Sequence, residues 1–270
     1  MALQQHDFGR PWAAHRKRIY FWMGVLCFFV TIPPWIGVML EWWSPEPMGT
    51  IAAGAVCVPI MVPLFAAWWD APGENRTTLE KAYEFMLVWF PISALSQGLW
   101  ELTWLVGDAL GYMNLTEDQH WGWFWWFYGA ADTRFLLSDP GIYGMETVVV
   151  VCGAVLMYHH WILIGKGRHD DKIRVRSIYW CAVALTMMQA VIFIYYVSEA
   201  RSGFAFIEQG FWGFALKFVF MNLPWLFSPM ILIPLIPKML AYLHAKNALV
   251  DAGVLTESGE TTPAQAALKS

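Results

Sequence analysis

Charge is scarce in this chain. Asp, Glu, Lys and Arg make up 14% of its residues, against about 25% in an ordinary soluble domain. A chain so poor in charge and 58% hydrophobic has the composition of an integral membrane protein, not a soluble one. Cysteine is also scarce. Cys27, Cys57, Cys152 and Cys181 all lie in apolar runs and form no CxxC pair. That argues against a disulfide framework or a zinc site and leaves them as small buried apolar residues. The sequence lacks a phosphate loop, a zinc motif and a nucleophile elbow. No metal and no cofactor are expected. An internal repeat of spans is missing too, which argues against a transporter. The basic cluster from Lys166 to Arg176 reads as a topology signal and an anionic-lipid contact, not as a nucleic-acid site.

What the chain has instead is long apolar runs and 18 tryptophans. About twenty apolar residues cross a bilayer. Six segments meet that length: 19–40, interrupted by Pro33-Pro34, then 50–69, 83–106, 143–165, 178–197 and 211–236. With the N-terminus cytoplasmic, 14 of the 17 Lys and Arg fall on that side, so the positive-inside rule puts both termini in the cytoplasm. The expected location is the endoplasmic reticulum membrane if the source is eukaryotic. The aromatic run 119–128 is too short to span and reads as an interfacial helix. The division expected is a cytoplasmic segment 1–18, an extra N-terminal span and loop 19–49, a core domain 50–243, and a polar, disordered tail 244–270. The fold class is all-α, a multi-pass transmembrane bundle.

A few polar side chains interrupt the apolar spans. Glu101 precedes the outer end of the third span and Glu146 follows the outer start of the fourth. At 1.5 Å per residue both lie roughly 5–10 Å below one surface and can face each other. An ionised acid at membrane depth costs about 2.5–3.5 kcal/mol, so a function is the default expectation. Gln97 lies four residues before Glu101 on the same face and would orient it. Trp100 adds an aromatic wall. In the sixth span Asn222 and Trp225 share a face, and Pro224 between them frees the Phe220 carbonyl and bends the helix. Tyr195 ends the fifth span at the same level.

This set suggests proton transfer. An apolar setting keeps one carboxyl protonated near pH 7 while the other stays a base. Indole faces stabilise cations. Together they suit alkene protonation and proton loss elsewhere, which is double-bond migration through a carbocation. The structural alternative is that the same Glu, Gln and Asn side chains only bond across helices and hold the bundle. His159-His160 reads as interfacial, with no matching ligand pair for a metal.

The chain resembles the emopamil-binding protein family, the membrane Δ8–Δ7 sterol isomerases that share the EXPERA domain. Four blocks carry the resemblance: Trp100-Glu101; Trp125-x-x-Tyr128-x-x-x-Asp132-x-Arg134-Phe135 running on to Glu146-Thr147; Glu199-x-Arg201-x-Gly203-Phe204; and Phe218-Val-Phe-Met-Asn222-x-x-Trp225. The resemblance implies a five-helix core preceded here by one extra span. It implies proton transfer by Glu101 and Glu146, a site lined by Asn222 and Trp225, and a supporting role for Asp132, Arg134 and Thr147. The expected substrate is a sterol or related triterpenoid, reached from the bilayer, with no redox cofactor. The family has His where Gln97 stands and Thr where Val149 stands. Gln hydrogen-bonds but does not carry a proton at neutral pH. A non-catalytic sterol or amphiphile binder and a membrane terpenoid cyclase are the alternatives. Whether a second copy is a partner is left open.

Overall fold

The computed structural model describes residues 5–256 and residue 260. Their regular structure is helical, with one isolated bridge between Asp132 and Ile207. Among the described residues, five helices are long and apolar enough to cross a membrane: α1 (Ala14–Met39), α2 (Pro45–Ala66), α6 (Pro140–Ile164), α7 (Asp171–Arg201) and the composite run Phe211–Asp251. The chain is an all-α, multi-pass helix bundle.

The third expected span takes a different form. It lies in α3 (Thr78–Ser96), a π-helical turn (Gln97–Glu101) and α4 (Leu102–Ala109). Ser93, Ser96, Gln97 and Glu101 punctuate this rod, so it is less apolar than the five. It is also the most enclosed. Met86, Trp89 and Phe90 of α3 are fully buried against Leu156 of α6 and Ile178 and Leu185 of α7. Leu232 of α8 (Leu223–Leu232) and Met239 and Leu243 of α9 (Ile236–Asp251) complete that core. The bundle is organised around α3, and α3 carries the polar residues. A reciprocal capping box starts it: Thr77 Oγ1 accepts from the Glu80 N–H and Glu80 Oε2 accepts from the Thr77 N–H.

Two expectations need correction. Pro33 and Pro34 do not interrupt α1, which runs through both. Each proline forfeits one hydrogen bond, and the rest of the ladder holds the helix. The polar tail does not begin at residue 244 either, because α9 continues to Asp251. Leu243 is buried in the core, and Lys246 Nζ pairs with Asp171 Oδ2 of α7 at 2.8 Å. Most of the remaining tail, 257–259 and 261–270, lies outside the described residues. The aromatic run does form a short helix, α5 (Trp123–Ala131).

Two of the arginines counted on the cytoplasmic side, Arg16 and Arg76, are buried at one end of the bundle. Arg16 of α1 is fully buried. Its Nε donates to Glu84 Oε1 at 2.7 Å and its two Nη atoms donate to Glu74 at 2.6 Å. Arg76 Nη1 donates to the other Glu84 oxygen at 2.7 Å, and Tyr20 Oη to Glu84 Oε1 at 2.7 Å. This network fastens α1 and the α2–α3 loop to α3. Removing one member of such a cluster leaves a buried charge unpaired, at about 3–5 kcal/mol.

Candidate functional site

Glu101 closes the π-helical turn. The Leu102 N–H bonds to the Gln97 carbonyl, the five-residue spacing that defines such a turn. The wider turn changes which side chains meet. Residues five apart point to different sides of an α-helix, but here Ser96 Oγ reaches Glu101 Oε1 at 3.5 Å. Glu101 Oε2 is buried without a hydrogen-bond partner.

Gln97 does not orient Glu101. Its Nε2 donates to Ser93 Oγ at 3.0 Å and lies 4.0 Å from Met188 Sδ of α7. Its Oε1 is buried against Gly153 of α6, unpartnered. Gln97 therefore sits in the α3–α6–α7 seam, and Ser96 is the residue in contact with the carboxyl.

Glu146 lies in the second turn of α6. Asp139 caps that helix, accepting from the Gly141 and Ile142 N–H groups at 2.8 and 3.0 Å, and Pro140 opens it with a preset φ. The cap sets where the helix starts, and so which side Glu146 faces. Glu146 is half-buried and within electrostatic range of Glu101 and Asp132. Tyr128 of α5 lies in range of all three carboxyls and of Tyr196.

A buried ionic scaffold supports this group. Asp132 Oδ2 accepts from Arg134 Nη2 and from Tyr195 Oη, each at 2.8 Å. Arg134 also donates to Ser198 Oγ at 3.3 Å, pairs with Glu199, and stacks over the Tyr195 ring at 5.2 Å. Burial works against the Arg134 charge, but bonding to Asp132 outweighs it and its pKa is raised. The Thr133 N–H bonds to the Phe206 carbonyl at 3.0 Å and the Glu208 N–H to the Ala131 carbonyl at 2.9 Å. Two loops are thereby clamped together beside the carboxyls.

The other expected residues divide. Trp100 is half-buried and packs on α5, with its ring 4.2 Å from Phe124 and 5.2 Å from Tyr128. Asn222 Nδ2 donates to the Phe218 carbonyl at 2.7 Å, in the change from π to 3-10 to α helix along 211–232. Trp225 stands edge-on to Trp89 at 5.4 Å, in the core around α3, with its N–H buried and unpartnered. Thr147 is not brought to the site. It is exposed on α6 and its hydroxyl is spent on the Tyr143 carbonyl at 2.8 Å. One residue beyond Glu146, it points about 100° away around the helix.

A small cleft of about 170 Å³ is lined by Tyr128, Asp132, Tyr195, Lys217, Phe218 and Asn222. Sequence reasoning missed Ser96, Lys217 and the use of Tyr128. Ser96 carries no signal, because only the π turn brings it to Glu101. Lys217 carried one: a lysine inside an apolar run needs a partner.

These features define a multi-pass membrane helix bundle with a half-buried carboxyl pair. The chain is similar to the 3-beta-hydroxysteroid-Delta(8),Delta(7)-isomerase of Rattus norvegicus, 32% identical over 124 residues, or 44% of this chain and 50% of that protein. The chain thus spans about half the length of this curated relative. No family model matches the chain, and no solved structure matches it.

Proposed function

We propose that this protein is a membrane-embedded isomerase that moves the ring double bond of a sterol, or a related triterpenoid, from Δ8 to Δ7. The observation that carries the reading is the half-buried Glu101–Glu146 pair, within electrostatic range of each other and of Tyr128, in a chain similar to a sterol isomerase. Two neighbouring carboxyls titrate as a unit and do not ionise together cheaply. One therefore holds a proton while the other is a base. The protonated carboxyl donates to C9 of the alkene, forming a C–H bond and leaving the cation at C8. The partner takes a proton from C7, and that electron pair becomes the Δ7 bond. The net change in protons is zero, and no electrons are exchanged with a cofactor.

Trp225 and the aromatic residues around Tyr128 would stabilise the cation through their ring faces. Either glutamate could serve as the acid. Asp132, Arg134 and Tyr195 would hold the segment that follows α5, and so the end of the helix that carries Tyr128. The substrate enters from the bilayer, and the cleft widens to admit it.

A second reading is a sterol binder without catalysis. Its support is Gln97, whose amide is locked to Ser93 and cannot relay a proton as the resembled family's His can. The test is product analysis of a sterol-isomerase-deficient yeast strain carrying the chain. Identified Δ7-sterol, lost in Glu146→Gln at equal expression, supports the isomerase. Sterol binding without a shifted double bond supports the binder.

A further inference from the structure

Lys217 is buried in the π-helical stretch Phe211–Val219, with 3% of its side chain exposed. A buried ammonium needs partners, and three elements supply them. Glu208, from the loop clamped to residue 131, lies 2.8 Å from Nζ. Glu46, at the start of α2, lies 3.5 Å away. The Phe127 ring of α5 lies beneath Nζ, with its centroid at 3.9 Å. Two glycines make room for this nest. A Cβ at Gly213 would fall 2.5 Å from Glu208 Cγ, and one at Gly49 would fall 2.3 Å from the Phe127 ring.

The nest is not sealed. Lys217 lines the cleft that Tyr128 also lines, and Tyr128 interacts with both Glu101 and Glu146. Glu208 and Glu46 are 37% and 42% exposed, so their carboxylates retain lone pairs for another donor. Lys217 thus brings a charged donor, paired with Glu208 behind it, to the wall of a cleft whose Tyr128 is in electrostatic range of the carboxyl pair. A hydroxyl, which donates one hydrogen bond and accepts others, matches an ammonium next to a carboxylate. An ether or ester oxygen uses only the ammonium and leaves the carboxylate facing an alkyl group.

We propose that Lys217 and Glu208 form the anchor for the hydroxyl on ring A of the substrate, and so select free sterol alcohols over their ethers and esters. The anchor rests on the sterol reading given above. Ring A is fused to ring B, whose alkene must meet the carboxyls. A hydroxyl anchor must therefore sit close to Tyr128, as Lys217 does.

The full chain in detergent is tested by competition for a radiolabelled Δ8-sterol with a free 3-hydroxyl, using the unlabelled alcohol and its 3-methyl ether. Hydrogen bonds to charged groups contribute about 1.5–3 kcal/mol, so the alcohol is expected to bind roughly tenfold or more tightly than the ether. In Lys217→Met that ratio should fall towards one, with ether binding little changed. Glu208→Gln keeps the ammonium and serves as the second variant if Lys217→Met does not accumulate; it should lower the ratio several-fold. Gly213→Ala, which displaces Glu208, should do the same. Equal binding of alcohol and ether by the native chain overturns the anchor. So does a ratio unchanged in the variants, which leaves Lys217 a structural tie. Binding of neither sterol overturns the anchor and the sterol reading together. An intact ratio with no Δ7 product supports the anchor and overturns only the catalytic reading.

Discussion

Gly153 of α6 and Gln97 of the π-helical turn share one space. A Cβ added at residue 153 would lie 2.1 Å from Gln97 Oε1 and 3.0 Å from Gln97 Cβ. The glycine lets the two helices approach at the point where the rod around α3 widens. The close approach and the π turn are parts of one packing solution, directly beside Glu101.

Gly153→Ala should therefore overpack this seam, at about 1–3 kcal/mol. Thermal unfolding in detergent checks it. The double variant Gly153→Ala/Gln97→Ala should recover most of the loss, because the two sites are in contact and their effects do not add. An unchanged midpoint in the single variant would show that the seam relaxes freely.

The carboxyl pair has a sharper test than loss of activity alone. Glu101→Gln and Glu146→Gln should each lower turnover by about 10²-fold or more, as expected for a positioned acid or base. Sterol binding should persist in both. In D2O the native protein should place deuterium on the new C–H bond of the Δ7 product, because the donating carboxyl exchanges with solvent. Product free of deuterium would mean that the added hydrogen came from the substrate itself.

Arg134 is the centre of the scaffold under the site, paired with Asp132 and Glu199. Arg134→Leu leaves two buried carboxylates without their cation, a loss of about 3–5 kcal/mol. The expected outcome is a protein that accumulates poorly and unfolds early. Arg134→Lys should rescue only in part, because one ammonium cannot copy the guanidinium fork. Full stability in Arg134→Lys would argue that charge alone matters there.

Acid should weaken the opposite end of the bundle first. Bonding to Arg16 lowers the Glu74 pKa from 4.5 to about 2. A carboxylate with a depressed pKa contributes stability that is fully present above its unfolded value and is lost as pH falls through the folded one. The contribution should fade between about pH 4.5 and pH 2. Glu74→Gln should be less stable at pH 7 and flatter across that window, measured as thermal midpoint against pH. Parallel curves for the two proteins would remove Glu74 as the acid-sensitive group.

Much of the architecture follows from the order of residues alone. Five of the six expected spans fall on membrane-length helices, though the last runs on to Asp251 instead of ending at 236, because a bilayer demands an apolar length and the chain has few charges to break it. The two glutamates stand out for the same reason: each is expensive where it is. Their proximity was legible from matched depth.

What the sequence could not show depends on contacts between distant segments. Arg16 counts in the sequence only as one of the charges on the cytoplasmic side; its burial depends on α3 bringing Glu84 against it. The π turn has no sequence signature; it arises where Gln97 must fit against Gly153, and it alone brings Ser96 to Glu101. Thr147 is adjacent to Glu146 in sequence but on another side of α6. Lys217 stands inside an apolar run, but its partners come from a loop, α2 and α5, which only the fold brings together. The sequence by itself determined the membrane bundle and its costly carboxyls, because hydropathy and ionisation are local properties. Only the tertiary structure decided which polar groups those carboxyls meet, because partners for buried charge are supplied across the fold.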